Sequence, residues 1–442
     1  MIYFADLHVH SKYSRATSRD SDLVNLAAWA SIKGIKVVAT GDFTHPAWRQ
    51  EILDSLEEDG TGLLRFRKSF RYSNNPTPSR YDLREVRFIL NVEISSIYKK
   101  NGRVRKIHNL VFMPNMESMK IFCKKLESIG NLKSDGRPIL GLDSRNLLEM
   151  ALEASNESYI VPAHIWTPWF SLLGSKSGFN SVQECFEDLS EHIFALETGL
   201  SSDPDMNRRV SSLDDYTLIS NSDTHSPSKL GREANIFTGQ PTFDGIRYSI
   251  KLGGSGKKLL RNVSFPVTSI MSSPNFNEKQ DAFLGTIEFF PEEGKYHWDG
   301  HRKCHVRLNP SETKLQNNLC PVCGKTLTVG VMNRVHELSD REGPQLSGRS
   351  AYYWKMIPLV EVISEALHVG QKSKKVFEVY MNMISKIGPE LFILSVFRPD
   401  EMRGRAPDSV LEALEKVRSG HVILDPGYDG EFGRVKLFRE EP

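Results

Sequence analysis

The chain has 442 residues, of which 25% are charged, and a formal net charge of +2. That length exceeds one ordinary hydrophobic core and predicts two or three domains. Five cysteines are too few for a disulfide scaffold, and no apolar run in the sequence is long enough to cross a bilayer. The first residues lack the layout of a signal peptide, so we expect a cytoplasmic protein. Because the net charge is small, binding of nucleic acid would depend on local basic patches.

The first predicted strand ends in a pair of histidines. An apolar run over residues 1–5 leads into His8 and His10. Residues two apart on a strand point to the same face, so both imidazoles can reach one metal ion. Neutral imidazole is the commonest protein ligand for zinc and similar ions, but a single His-x-His is weak evidence on its own.

The next 200 residues alternate between predicted helices and short apolar strands, the pattern of a β/α fold. A helix is predicted over 18–33, ended by Gly34, and a buried strand over 35–40. Residues 47–80 are polar and are interpreted as a solvated loop, with a basic and aromatic border of a nucleic-acid path as the alternative. Further strands are predicted at 86–97, 106–113, 159–164, 193–197 and 217–225, and helices at about 116–129 and 144–155.

Most of these strands end in a side chain that can bind metal. The residues concerned are His8, His10, Asp42, Glu93, His108, His164, Asp223 and His225. In a β/α barrel the carboxyl ends of the strands converge on one face, which predicts a single cluster. Hydrolysis of a phosphodiester needs a neutralised phosphate and an activated water. Two or three ions bridged by a carboxylate such as Glu93 supply both, and this ligand mixture suits zinc, manganese or magnesium.

The segments 6–11, 40–42, 91–93, 162–164 and 222–225 resemble the PHP (polymerase and histidinol phosphatase) superfamily, whose fold is a distorted seven-stranded β/α barrel. The resemblance implies catalytic roles for Glu93, Asp223 and His225. It implies three metal sites, which would use His8, His10, Glu93 and Asp223, then Glu93, His108 and His164, and last Asp42 and His225, with His45 as a possible further ligand. The chain departs from the family at Arg15 and Ala16, where an Asp or His is common, and at Phe43, where His is usual.

Further segments narrow the resemblance to the endonuclease Q family of DNA repair enzymes. They are residues 14–18, 41–46, 197–203, 289–297, 299–304 and 426–433. The resemblance implies an endonuclease that hydrolyses double-stranded DNA on the 5′ side of deaminated bases (uracil, hypoxanthine, xanthine) and abasic sites. The alternatives are a PHP-type small-molecule phosphoesterase such as a histidinol phosphatase, and a DNA-binding scaffold without activity.

A second cluster of metal-binding residues lies further along the chain. His301 and Cys304 form an H-x-x-C, and Cys320 and Cys323 a C-x-x-C, the spacing of a tetrahedral structural zinc. His297 or His305 could replace His301 as the fourth ligand. Basic residues around the cluster and two tryptophans after His164 are candidates for DNA binding, although barrel packing explains the tryptophans equally well. These candidates are Arg302, Lys303, Arg307, Lys325, Arg334, Trp166 and Trp169.

Three regions are predicted from these patterns. Residues 1–255 form the PHP catalytic barrel, and a glycine-rich stretch at 253–258 marks its end. Residues 256–345 hold a linker and the zinc-binding module. Residues 346–442 form a helical, DNA-binding C-terminal region, with helices interrupted near 388–389 and 403–407 and a terminal hairpin over 421–438.

Overall fold

The structure is a computed structural model that describes residues 1–71, 81–254 and 279–438. Its strands are β1 (Ile2–Asp6), β2 (Ile35–Ala39), β3 (Leu56–Glu58), β4 (Leu64–Phe66), β5 (Arg87–Lys100), β6 (Arg103–Met113), β7 (Ile139–Leu140), β8 (Tyr159–Pro162), β9 (Ala195–Glu197), β10 (Thr217–Ile219), β11 (Ala234–Thr238), β12 (Ala282–Glu288), β13 (Asp299–His301), β14 (Val306–Leu308), β15 (Tyr352–Lys355), β16 (Ile423–Asp425) and β17 (Arg434–Lys436).

The α-helices are α1 (Leu23–Lys33), α2 (Pro46–Ser55), α3 (Met116–Glu127), α4 (Ser144–Ala154), α5 (Val182–Phe186), α6 (Pro204–Asn207), α7 (Phe243–Leu252), α8 (Pro310–Leu315), α9 (Val331–Leu338), α10 (Leu359–Ala366), α11 (Lys374–Lys386), α12 (Glu390–Ser395), α13 (Pro399–Met402) and α14 (Asp408–Arg418). None of the helices in the described residues is long and apolar enough to cross a membrane.

Seven strands form a distorted β/α barrel, as the sequence predicts. Strands β1, β2 and β5 pair in parallel, β6 joins β5 antiparallel, and β8 joins β6 antiparallel. Strands β9 and β10 form a separate parallel pair. Two contacts close the ring: Ile165 N–H donates to Glu197 O (3.1 Å) beside β9, and His10 N–H donates to Thr224 O (3.0 Å) between β1 and β10.

Helix α1 begins later than predicted and ends where predicted. The Asp22 side chain accepts a hydrogen bond from Asn25 N–H (2.8 Å), which fixes the start of the helix at Leu23 rather than at residue 18. Gly34 ends the helix with a φ of 85°. A Cβ at Gly34 would lie 2.8 Å from the Cβ of Pro389, so the glycine also lets the C-terminal region approach the barrel.

The prediction of a loop over residues 47–80 is wrong for its first part. Pro46 opens helix α2, where its fixed φ and missing N–H are tolerated. Trp48 is fully buried, and its indole N–H donates to Gly41 O (2.9 Å). A β3–β4 hairpin follows and pairs with β5 at Leu64. The remainder of the predicted loop, 72–80, lies outside the described residues.

The large sheet continues beyond the barrel into later parts of the chain. Strand β11 pairs antiparallel with β1, β12 pairs antiparallel with β11, and β15 pairs parallel with β12. The strands β12 and β15 therefore extend the barrel sheet, although they belong to the second and third predicted regions. The predicted boundary after residue 255 lies outside the described residues, and the division into three regions stays a prediction.

After β15, the C-terminal region consists of helices α10 to α14 and a terminal hairpin. The helices break at the predicted positions, and two further breaks separate α10 from α11 and α12 from α13. Lys33 of α1 and Glu390 of α12 form an ion pair (2.5 Å) with both side chains buried, and Tyr380 donates a hydrogen bond to the same carboxylate (2.5 Å). Strands β16 and β17 pair antiparallel and form the predicted terminal hairpin.

Candidate metal centre

Three side chains at the ends of β1 and β10 form one candidate metal group. The side-chain ligand atoms of His8, His10 and Asp223 all lie within 4.8 Å of one another. Asp223 Oδ1 is 3.1 Å from His10 Nε2 and 3.6 Å from His8 Nε2. The strand-end pattern therefore brings together residues more than 210 positions apart in the chain.

Glu93, His108 and His164 form a second group beside the first. Glu93 Oε1 is 2.6 Å from His108 Nδ1 and 3.0 Å from His164 Nε2. The other oxygen, Oε2, is 3.3 Å from His10 Nε2. One oxygen of Glu93 thus faces each group, which is the arrangement of a carboxylate that bridges two ions.

The backbone is unusual where the strands turn into this centre. Asp42, His164 and Asp223 have positive φ values of 49°, 30° and 46°. Such conformations cost about 1–3 kcal/mol each in non-glycine residues and cluster at functional sites. The local turns aim these three side chains inward directly after their strands.

Carboxylates behind the histidines fix their orientation. Glu197 accepts from His8 Nδ1 (3.1 Å) and from the backbone N–H of His164 (2.8 Å). Asp42 Oδ1 lies 3.1 Å from His10 Nδ1. Both histidines therefore present Nε2 to the centre, and His8 Nε2 is buried without a hydrogen-bond partner among the described residues. An oriented imidazole with one free nitrogen is the form that binds a metal ion, so these residues fit the implied ions.

Within residues 1–71, 81–254 and 279–438, Asp42, His45 and His225 do not belong to a group of three or more metal-binding side chains, and the third site stays a prediction. Asp42 accepts hydrogen bonds from Ser11 N–H (2.7 Å) and Ser14 Oγ (2.8 Å), so it acts as a partner of His10 rather than as an available ligand. The ring of His45 stacks on Tyr13, with centroids 4.3 Å apart. His225 Nδ1 faces the backbone oxygen of Asp223 at 2.9 Å.

Burial and neighbouring charges set the protonation of the centre. Burial alone would raise the pKa of Glu93, but the charges of His108 and Arg137 outweigh it and hold the pKa well below its ordinary value. Burial would also raise the pKa of Asp223, but the charges of His8 and His10 outweigh it and lower that pKa. Burial lowers the pKa of His108 to about 4. Ionised carboxylates and neutral imidazoles are the protonation states that bind metal. Burial lowers the pKa of His8 and His10, but the carboxylates of Glu197, Asp223 and Asp42 outweigh it and raise the pKa, so a metal ion that binds here displaces a proton from each of these two imidazoles.

The structure also assembles the cysteine cluster. The ligand atoms of His301, Cys304, Cys320 and Cys323 lie within 4.8 Å of one another, with Cys323 Sγ 3.4 Å from His301 Nδ1. This is the predicted set of four, with His301 as the histidine. His297 is buried elsewhere and His305 is exposed, and neither joins the group.

The predicted DNA-binding residues divide into exposed and buried ones. Arg302, Lys303, Lys325 and Trp169 are exposed, whereas Arg307 is half-buried and paired with Asp425. The prediction is corrected for two residues that are buried and fully engaged inside the protein.

The first of these is Trp166, whose indole N–H donates to Asn207 Oδ1 (2.8 Å). The second is Arg334, which donates to Leu173 O (3.0 Å) and Phe179 O (3.1 Å). Neither side chain is accessible to DNA in this structure.

A cavity of about 230 Å³ lies beside the loop that follows β8. Thr167, Trp169, Lys295, Tyr296 and His297 are among the residues that line it. The Trp169 and Tyr296 rings meet edge to face, with centroids 6.4 Å apart. Thr167 Oγ1 is 3.2 Å from His164 Nδ1, which connects the cavity to the metal centre.

Two residues of the site were not among the predicted ones. Glu197 ends a predicted strand, as the metal-binding residues do, and this position could have identified it as a site residue from the sequence. Arg137 lies in a loop, and its Nη1 is 3.1 Å from Glu93 Oε2. Nothing in its sequence surroundings distinguishes it from other surface arginines.

Sequence comparisons match this chain to proteins without an assigned activity. The MJ0043 C-terminal domain family matches residues 358–421. Protein MJ0043 of Methanocaldococcus jannaschii is 32% identical over 280 residues, which is 62% of this chain and only 31% of that protein. Protein YqxK of Bacillus subtilis is 28% identical over 455 residues, 98% of this chain and 99% of that protein.

Solved structures match the whole chain. The lesion-specific endonuclease PfuEndoQ from Pyrococcus furiosus superposes with a TM-score of 0.80 and 28% identity, covering 99% of this chain and 95% of that chain. Endonuclease Q in complex with a 27-mer duplex carrying an abasic lesion at its active site gives a TM-score of 0.78 and 28% identity, covering 100% and 98%. Over its whole length, the chain is thus a structural relative of endonuclease Q.

Proposed function

We propose that the chain is a metal-dependent DNA repair endonuclease that hydrolyses the phosphodiester on the 5′ side of deaminated bases and abasic sites. The observation that carries the proposal is Glu93, whose two oxygens face two separate groups of metal-binding side chains. The similarity to endonuclease Q bound to abasic DNA supports the choice of substrate.

Each group would hold one divalent ion. His8, His10 and Asp223 would bind the first, Glu93, His108 and His164 the second, and Glu93 would bridge them. Zinc, manganese or magnesium at these positions would neutralise the phosphate and lower the pKa of a bound water. Glu197 and Asp42 keep the imidazoles turned toward the ions.

His225 is proposed to contact the substrate. Its side chain is 31% exposed, more than any of the other histidines in the centre. Its Nδ1 faces Asp223 O at 2.9 Å, which leaves Nε2 as the nitrogen available toward solvent. We therefore assign His225 a role at the reacting phosphate rather than in a ligand group.

The cysteine cluster is proposed to hold a structural zinc that supports DNA binding. Four ligand atoms within 4.8 Å match the closed coordination of a structural site. Lys303 and Lys325 flank the cluster and are exposed, so their ammonium groups can reach phosphates.

The cavity beside β8 is proposed to receive the damaged nucleotide. Deamination replaces an amine with a carbonyl, so a hydrogen-bond donor in the cavity would favour uracil, hypoxanthine and xanthine over cytosine, adenine and guanine. Lys295 and Thr167 line the cavity and carry donors, and Trp169 and Tyr296 offer aromatic faces. An abasic site would be accepted because it costs little to unstack.

A cleavage assay tests the proposal. Matched duplexes with uracil, hypoxanthine, xanthine, an abasic site or normal bases are incubated with the protein and a divalent ion, and cut positions are read at nucleotide resolution. We expect incision 5′ of each lesion and little cutting of normal DNA. Equal cutting of undamaged duplexes, or release of a free base without strand cleavage, would refute the proposal.

A small-molecule phosphoesterase is the competing function, because the same barrel and ions would serve a phosphomonoester. The exposed basic side chains beside the cysteine cluster favour DNA instead, since a small substrate needs no such surface. Release of phosphate from a small phosphomonoester, with no cutting of any duplex, would show that the protein is a small-molecule phosphoesterase instead.

A further inference from the structure

Arg137 stands at the edge of the metal centre and has no role in the proposed ligand groups. Its Nη1 donates to Glu93 Oε2 at 3.1 Å, the oxygen that faces His8 and His10. The side chain is 25% exposed, so part of the guanidinium is open to solvent beside the centre. A guanidinium has five N–H donors, and this is its one hydrogen bond to a described residue.

The loop that carries Arg137 is fixed to the barrel at several points. Asp135 Oδ1 accepts the backbone N–H groups of Arg15 (3.3 Å) and Arg137 (3.1 Å). Gly136 N–H donates to Tyr13 O (3.0 Å), and Pro138 O accepts from Ser95 N–H (3.0 Å). The position of Arg137 is therefore set by the barrel rather than by a free loop.

Gly136 brings this loop directly onto the histidine side of the centre. A Cβ at Gly136 would lie 2.6 Å from Ser14 Oγ and closer still to Asp42 Oδ2. Both neighbours are buried and hydrogen-bonded to each other, so they cannot move away. Only a glycine allows the backbone to approach the partner of His10 this closely.

A second arginine, Arg15, contacts the loop that carries Arg137. Arg15 Nε is 3.4 Å from Asp135 Oδ2, and its side chain is 77% exposed. The Asp135 carboxylate thus contacts both the side chain and the backbone N–H of Arg15, and it contacts the backbone N–H of Arg137. Asp135 thus holds both arginines on one loop, with the guanidinium of Arg137 against Glu93 and that of Arg15 in solvent.

We propose that Arg137, with Arg15 as an outer contact, forms a phosphate-binding subsite that holds the non-bridging oxygens of the reacting phosphate. Planar guanidinium donors match the geometry of phosphate oxygens, and charge-assisted hydrogen bonds are about twice as strong as neutral ones. The inference rests on the proposed function and adds how the substrate phosphate is held at the metal centre.

The competing explanation is that Arg137 only neutralises Glu93. In that case its loss would weaken metal binding, because Glu93 would lose its counter-charge, and would leave phosphate recognition unchanged. The two explanations differ in what depends on the arginine, so phosphate affinity and metal content must be measured separately.

The first experiment uses inorganic phosphate and the manganese-loaded full-length protein, with binding measured by calorimetry and metal content by elemental analysis. We expect Arg137→Ala to weaken phosphate binding by about tenfold or more, with Arg137→Lys intermediate and Arg15→Ala smaller. Arg145→Ala is the matched control, because Arg145 pairs with Glu149 and Asp188 outside the centre. Lower metal content in Arg137→Ala, with unchanged phosphate affinity once reloaded, would overturn the proposal.

The second experiment places a neutral methylphosphonate at the cleaved position of a lesion duplex. If Arg137 contacts the charged oxygen, Arg137→Ala should slow cutting of normal phosphate strongly and cutting of the methylphosphonate much less. Equal slowing of both substrates would overturn the proposal. Failure of the wild-type protein to cut any lesion duplex would refute the proposed function instead, and the calorimetric result would still decide the subsite.

Discussion

Replacing Arg334 by alanine tests whether that residue binds DNA or holds the protein together. Helix α9 follows the cysteine cluster and packs Arg334 against the barrel loop after β8. The guanidinium donates to Leu173 O (3.0 Å), Phe179 O (3.1 Å) and Asn180 Oδ1 (2.7 Å). It also pairs with the exposed Glu337 at 2.8 Å.

The loss in free energy of unfolding expected for Arg334→Ala follows from the acceptors that lose their hydrogen-bond donor. Each hydrogen bond to a charged group contributes about 1.5–3 kcal/mol, whereas the surface pair with Glu337 contributes less than about 1 kcal/mol. Two backbone carbonyls and one amide oxygen lose their donor, and water entering the vacated space restores part of the loss. We therefore expect Arg334→Ala to lower the free energy of unfolding by about 3 kcal/mol.

The assay is urea-induced unfolding followed by fluorescence, beside salt-dependent DNA binding of the folded protein. Lys325→Ala is the matched control, since Lys325 is exposed beside the same cluster and should change DNA binding without changing stability. If Arg334→Ala kept wild-type stability and lost affinity for DNA, the buried role assigned to Arg334 would be wrong.

Three further predictions concern the metal centre, the cysteine cluster and a buried carboxylate. Glu93→Gln should abolish cleavage, because a bridging ligand is lost, and should keep DNA binding largely intact. Glu149→Gln is the surface control. A near-normal cleavage rate in Glu93→Gln would contradict the assignment. Cys320→Ser should lower zinc content and melting temperature, whereas Cys123→Ser, far from the cluster, should keep the zinc. Burial raises the pKa of Glu288 from its ordinary 4.5 to about 8, so the folded state binds more protons than the unfolded state between these values. Stability should therefore fall as pH rises through this window, and Glu288→Gln should make that fall shallower in unfolding measured across it.

The sequence predicted the barrel, and the metal-binding residues that follow β1, β8 and β10, because a strand end is a local pattern, but this pattern does not account for Glu93 and His108. An apolar run followed by His8 and His10 specifies a buried strand with two side chains on one face, whatever the rest of the chain does. Glu93 and His108 lie within the long strands β5 and β6, and the antiparallel pairing of those strands brings them together.

The errors arose where distant packing decides the structure. Residues 46–66 are polar on average, yet buried Trp48 and pairing with β5 order them. Arg334 looks like its basic neighbours until helix α9 places it against the loop after β8. Arg137 reaches Glu93 only because Gly136 permits a close contact between two distant loops.

The continuation of the sheet through β12 has a consequence for how the protein can be divided. A protein ending at residue 254 would lose β12 and leave the β11 backbone groups that pair with it exposed along a new sheet edge. Exposed edges of this kind recruit other strands, so such a fragment would be prone to aggregation. It would also lose Glu288, which accepts hydrogen bonds from Thr198 (3.0 Å) and Ser220 (3.2 Å) just after β9 and β10. Nuclease activity in a truncated barrel is therefore not to be expected, since the strand that supports the ends of β9 and β10 is supplied by a later part of the chain.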